Sequence, residues 1–217
     1  MGSPVRALNS DPGFHEHYFF DLDESRAETL KGVCEGRENV VVNVGDCNPF
    51  IRDLATNLAA PGVRGVAFLD PYGAHLEWQT LEALAGTGTM EAMINFPVAM
   101  AINRMITKSG KVPENWSDQL TRCFGPEQWR DVAYRVERDL FGEEMVQKHG
   151  NVVERLLDLY MGRLRVIFPH VSSPRLIRNT RGAPLYFLIW AGPHRLGLKG
   201  ADYILKKGEK VSKHRRS

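Results

Sequence analysis

Asp70-Pro71-Tyr72-Gly73 follows directly on the apolar run at residues 65–69 and joins a carboxylate, a ring and a turn within four positions. A strand ending this way carries Asp70 and Tyr72 to its carboxyl end, where open α/β sheets line their ligand crevice. There a carboxylate, or the neighbouring backbone carbonyl, can accept a hydrogen bond from an amino group while a tyrosine ring stacks on a planar base. The same residues also suit a helix cap followed by a plain turn, and their types alone leave both readings open. Two other acidic sites close apolar runs: Asp21 with Asp23, and Asp46 followed by Cys47. Carboxylates there suit the start of a following helix, whose exposed N–H groups favour negative charge, as well as contact with a ligand.

The elements that must position these residues are legible in the periodicity. Residues 18–22 read as a short strand and 24–33 as a helix opened by the two aspartates. Branched residues at 39–44 give a second strand and 49–58 a helix; 65–69 is a third strand. Trp78, Leu81, Leu84 and Ala85 share one face at three- and four-residue spacing, which predicts a helix over 77–85 closed by Gly86 and Gly88. Residues 90–96 make a fourth strand. This alternation predicts an α/β fold with a mostly parallel sheet, helices on both faces and an antiparallel edge strand. The stretch 98–150 reads as helical and polar, punctuated by Pro97, Pro113 and Pro126, with Trp116, Phe124 and Trp129 as its anchors. A helix is expected at 151–162, so that 98–162 forms a helical cover, and a last pair of strands at 164–168 and 185–191. Arg175, Arg178 and Arg181 fall in the loop between them. Residues 1–217 are read as a single domain.

Composition sets outer limits. With 217 residues, 43% of them hydrophobic, the chain can bury a substantial core, and its formal charge is only +2. Residues 199–217 are the exception, a basic tail of seven Lys or Arg against two acidic residues, able to meet phosphates or simply to remain solvated. Cys34, Cys47 and Cys123 show no CxxC spacing, so neither a structural metal site nor a disulfide framework is expected. That usage fits a reducing, cytoplasmic setting. No apolar run reaches the roughly 20 residues of a membrane span, and no membrane association is expected.

In order and spacing, Gly2-Ser3-Pro4-Val5-Arg6-Ala7-Leu8, Phe20-Asp21-Leu22-Asp23, Gly45-Asp46-Cys47-Asn48, Phe68 to Gly73 with Trp78, and Tyr186 to His194 resemble a bacterial three-Cys-motif partner protein. More broadly the chain resembles a class I, S-adenosylmethionine-dependent methyltransferase with a Rossmann-like fold. The resemblance implies that Asp21, or alternatively Asp23, holds the cofactor's ribose hydroxyls. It implies that Asp46 accepts from the adenine amino group, with Cys47 lining that pocket, and that Asp70, Pro71, Tyr72 and Gly73 form the methyl-acceptor site. It further implies S-adenosyl-L-methionine as cofactor, RNA or DNA as substrate, and a neighbouring three-cysteine-motif protein as partner.

Against the family pattern the chain is N-terminally incomplete. The first strand and the glycine-rich loop that follows it are absent, because Met1-Gly2-Ser3-Pro4 corresponds to a point just beyond that loop. A truncated gene product and a natural variant are both compatible with this, and either would leave apolar strand edges exposed. Two functions follow as expectations: a methyltransferase-like protein acting on a nucleic-acid base amino group, or a non-catalytic partner module that keeps the fold. The Asp-Pro-aromatic loop resembles both the Asp-Pro-Pro-Tyr signature of adenine amino methyltransferases and the Asp-Pro-Phe-Gly signature of guanine-modifying tRNA enzymes. It lacks the second proline of the former, which leaves the base open.

Overall fold

The computed structural model describes the backbone of residues 2–60, 62–125, 128–138, 141 and 143–212, and side chains as far as 206. Pro126, the side chains of the basic tail beyond Lys206, and residues 213–217 lie outside the described residues. The chain is mixed α/β and divides into two compact units, Met1–Ile51 and Arg52–Ser217.

In the first unit, α1 (Ser3–Leu8) precedes β1 (His17–Asp21), α2 (Glu24–Val33) and β2 (Val40–Val44). The two strands pair in parallel, with Asp21 opposite Val44. The helix between them starts where sequence predicts because Asp23 accepts the Arg26 backbone N–H at 2.9 Å. Ala27 of α2 is fully buried, and the Phe20 and Phe50 rings stack 5.5 Å apart. Phe50 lies on α3 (Cys47–Leu58), which begins in this unit.

The second unit is built on β3 (Gly65–Leu69), α4 (Trp78–Gly86) and β4 (Met90–Phe96), then a π-helical turn at Val98–Ile102 that runs into α5 (Asn103–Met105). After these come α6 (Glu114–Phe124), α7 (Trp129–Ala133), β5 (Tyr134–Arg138), β6 (Glu144–Lys148) and α8 (Val152–Ile167). The unit ends with β7 (His170–Val171), β8 (Arg175–Arg178), β9 (Pro184–Gly192) and α9 (Arg195–Ser212). Its main sheet runs β3-β4-β9-β7, with β8 also on β9. β3 and β4 are parallel, and β9 is antiparallel to β4, β7 and β8. The reversed strand is therefore inside the sheet, not at its edge, and with three of the four pairings antiparallel this sheet is mixed instead of the mostly parallel one expected. β3 forms an edge, with Val66 and Phe68 half exposed.

Three sequence expectations change here. The polar stretch 98–150 is not all helical, because β5 and β6 pair as an antiparallel hairpin. The strand expected at 164–168 is instead the end of α8: Val152, Leu156, Tyr160 and Leu164 continue one buried helical face straight through Gly162, and the helix stops only before Pro169. Arg175 and Arg178 lie in a strand rather than a loop. The basic tail is helical as far as Ser212, within α9. Among the described residues no helix is long and apolar enough to cross a membrane.

Trp129, Phe124, Leu120 and Tyr160 are wholly or almost wholly buried, as are Phe96 and Ile94 of the sheet. The expected anchoring to the sheet is seen for Phe124, whose ring meets Phe96 edge-on; Trp129 is buried with its indole N–H donating to Thr121, and Trp116 is 37% exposed. Cys34 and Cys123 are buried and Cys47 half-buried, all as free thiols. Burial pushes the Cys123 thiol up to about 12. An unfolded thiol titrates near about 8.5, so above that pH the unfolded state loses a proton that the folded state keeps. Stability from this group is complete below about pH 8.5 and is lost progressively as pH rises toward 12. In urea titrations from pH 8 to 11, the stability advantage of the wild type over Cys123→Ala is expected to shrink as pH rises. Parallel curves would show that the thiol titrates freely in the folded protein.

Candidate functional site

At the carboxyl end of β3, Asp70 does not cap the helix that follows. The N-cap position of α4 is Glu77, and the Asp70 carboxylate instead accepts the Asn95 amide of β4 at 2.6 Å. Asn95 is buried, and its Oδ1 has no partner among the described residues. Rotating that amide would turn an oxygen toward the carboxylate, so the Asp70 contact fixes its orientation. A buried, unsatisfied acceptor costs on the order of 1–3 kcal/mol, and here it accompanies the holding of one carboxylate. Burial, and then the nearby Asp70 charge, push the Tyr186 hydroxyl of β9 upward.

The chain then turns through Pro71, Tyr72 and Gly73. Gly73 has φ +66, a left-handed conformation that favours glycine. The turn leaves Tyr72 88% exposed, its ring 6.4 Å from that of His75. A tyrosine so placed contributes nothing to the core and presents its ring to solvent. Asp70, Tyr72, Gly73, Asn95 and Tyr186 all belong to the second unit. Of these, Asn95 carries a signal that sequence holds: it is the one amide in an otherwise apolar strand end, Met93-Ile94-Asn95-Phe96.

In the first unit, the Gly45 N–H donates to the Asp21 carbonyl at 2.9 Å, which joins the carboxyl ends of β1 and β2. Asp21 and Asp46 therefore follow one edge of a parallel pair. Asp21 Oδ1 accepts the Asp23 N–H at 2.9 Å and pairs with Arg26 at 3.1 Å. Asp23 caps α2 and lies 3.8 Å from the same guanidinium. Asp46 Oδ1 accepts both the backbone N–H and the side-chain amide of Asn48, at 2.9 and 2.8 Å, so it caps α3. Cys47 is the first residue of that helix. Each aspartate thus has a local structural task, and the second carboxylate oxygens of Asp21 and Asp46 take none of these bonds.

Among the described residues, no group of three His, Cys, Asp or Glu side chains is placed to hold a metal ion. Arg178 donates to the Gly182 carbonyl at 2.9 Å, and the Arg181 backbone N–H to Asn179 Oδ1 at 2.9 Å, which ties both arginines into their own turn. Compared with protein-family models, with curated proteins and with solved structures, the chain matches none.

Proposed function

We propose that this chain is an S-adenosylmethionine-dependent, methyltransferase-like protein acting on an amino group of a nucleic-acid base. The observation that carries the reading is Asp70: an exposed carboxylate at the carboxyl end of a strand, oriented by a buried amide instead of serving as a cap, beside a fully presented tyrosine ring. Asp70 accepts from the amino group and so leaves the nitrogen lone pair available for methyl transfer, Tyr72 stacks on the base, and Asn95 is the positioning residue. Gain in rate comes from this alignment. The parallel pairs β1–β2 and β3–β4 and the reversed β9 support a Rossmann-like reading of the fold.

The cofactor fits the acceptors of the first unit. S-adenosylmethionine supplies an electrophilic methyl group on sulfur, and its ribose hydroxyls and adenine amino group are hydrogen-bond donors. Asp21 would hold the hydroxyls and Asp46 the amino group, each through the oxygen left over from its structural bonds, with Asp23 and Cys47 beside them.

A second reading, a non-catalytic module that keeps this fold, is favoured by the Arg26 pairing of Asp21 and by the capping bonds of Asp23 and Asp46. Titration of S-adenosylhomocysteine into the wild type and into Asp21→Ala/Asp46→Ala separates the two. A charge-assisted hydrogen bond is worth about 1.5–3 kcal/mol, so the double variant is expected to bind at least about tenfold more weakly. Equal binding by both proteins would remove the cofactor assignment, and absence of binding by the wild type would favour the module. Asp70→Ala should leave this affinity unchanged.

A further inference from the structure

The second unit contains a groove of about 960 Å³ between residues 103–111, the strand β6 and the start of α8. Lys108, Lys111, Lys148 and His149 line it, and among the described residues no acidic side chain does. Lys148 is anchored, because its ammonium donates to the carbonyls of Asn103 and Ile106, both at 2.8 Å. Those carbonyls end the short helical run at 98–105, where the backbone is electronegative. An ammonium has three donors, and these bonds use two. The Lys148 backbone N–H also reaches the Lys108 carbonyl at 3.3 Å, which sets the two lysines side by side.

Burial, and then the Lys108 charge, lower the Lys148 ammonium from its ordinary value. His149 is lowered by desolvation and then by Arg155 and Arg135, with Glu137 acting in the opposite direction. Glu137 is not among the residues that line the groove. Lys108 and Lys111 are exposed and can swing onto an incoming anion.

We infer that this groove binds the phosphate groups of a ligand, with Lys108, Lys111 and Lys148 as the phosphate contacts. A volume of about 960 Å³ holds more than a single phosphate, which fits either two linked phosphoryl groups of a small molecule or consecutive phosphodiesters of a single strand. Either ligand would relieve the repulsion between neighbouring ammonium groups. The inference stands apart from the methyl-transfer reading, since it uses none of Asp21, Asp46 or Asp70.

The test uses the full chain with no S-adenosyl compound present. Inorganic pyrophosphate and a mixed-sequence octanucleotide RNA are titrated separately into the wild type, into Lys108→Glu/Lys111→Glu, and into Lys199→Glu as a control on α9. The double variant is expected to lose at least about tenfold in affinity while Lys199→Glu matches the wild type. With three phosphate contacts on a single strand, the log–log salt slope is about −2, so RNA binding should weaken roughly 20-fold between 50 and 200 mM salt. RNA binding much tighter than pyrophosphate identifies a strand backbone as the ligand; comparable or tighter pyrophosphate binding identifies a small phosphorylated molecule. Binding of neither probe, or equal binding by wild type and double variant, overturns the inference.

Discussion

Replacing Phe96 with alanine is expected to lower the unfolding free energy by about 3–5 kcal/mol. The ring is 1% exposed and ends β4, where it lies face to face with Tyr160 of α8 at a centroid distance of 3.9 Å and an interplanar angle of 5°. Phe124 of α6 meets it edge-on at 5.8 Å, and Tyr160 in turn meets Trp78 of α4 edge-on at 5.7 Å. Phe96 thus joins the sheet directly to two helices, α8 and α6, and through Tyr160 to a third, α4. Truncation removes apolar burial and leaves a cavity that such rigid neighbours cannot collapse into. Urea denaturation followed by tryptophan fluorescence measures the loss, with Val66→Ala as the comparison. Val66 is half exposed on the edge strand and should cost well under about 1 kcal/mol. A Phe96→Ala loss as small as that of Val66→Ala would mean that the aromatic cluster does not hold the unit together.

The second large effect reverses the usual rule for glycine in helices. Alanine is about 1 kcal/mol better than glycine in a helix interior, yet Gly197→Ala is expected to destabilise. A Cβ at Gly197 would stand 2.5 Å from Glu91 Oε1 and 2.6 Å from the Trp190 ring. Those two groups are themselves joined, with the Trp190 indole N–H donating to Glu91 Oε2 at 2.9 Å. Glu91 can swing aside only by giving up the indole bond, and the Trp190 ring, 3% exposed, has no open space to retreat into.

Overpacking of this kind costs about 1–3 kcal/mol, and loosening the indole bond adds about 1 kcal/mol. Together these exceed the gain in helix propensity. Gly200 lies three residues further along α9, where a Cβ would have no described neighbour within 4 Å. Gly200→Ala should therefore stabilise, by up to about 1 kcal/mol. Thermal melts of the two variants are expected to move in opposite directions. If both rise, α9 does not rest on the Glu91–Trp190 pair.

The two glycines are indistinguishable in sequence, and so is much else that matters at the candidate sites. The Asp70 loop is visible as a motif, but whether Asp70 caps a helix or is held as an acceptor depended on Asn95, 25 residues away. Asp21 and Asp46 are visible as acids that end strands, whereas the Arg26 and Asn48 bonds that compete for them emerge only when the local backbone is placed. The lysine groove had no sequence signature, because Lys108 and Lys148 are brought together by the β5–β6 hairpin. That hairpin is faint in sequence since its strands are charged and its apolar members, Val136, Met145 and Val146, remain exposed.

What the sequence determined by itself was local order: β3 at Gly65–Leu69, β4 at Met90–Phe96 and α2 at Glu24–Val33 follow from side-chain periodicity and from caps within a few residues. Even there, length could fail, since residues 164–167 are apolar enough for a strand and became helix because their inward face continued that of α8. Only the tertiary structure decided which strands pair. β9 entered the sheet in reverse between β4 and the β7 and β8 strands, with Trp190 opposite Met93. That choice rests on packing and hydrogen bonding between segments almost a hundred residues apart, and no local pattern of polar and apolar residues encodes it.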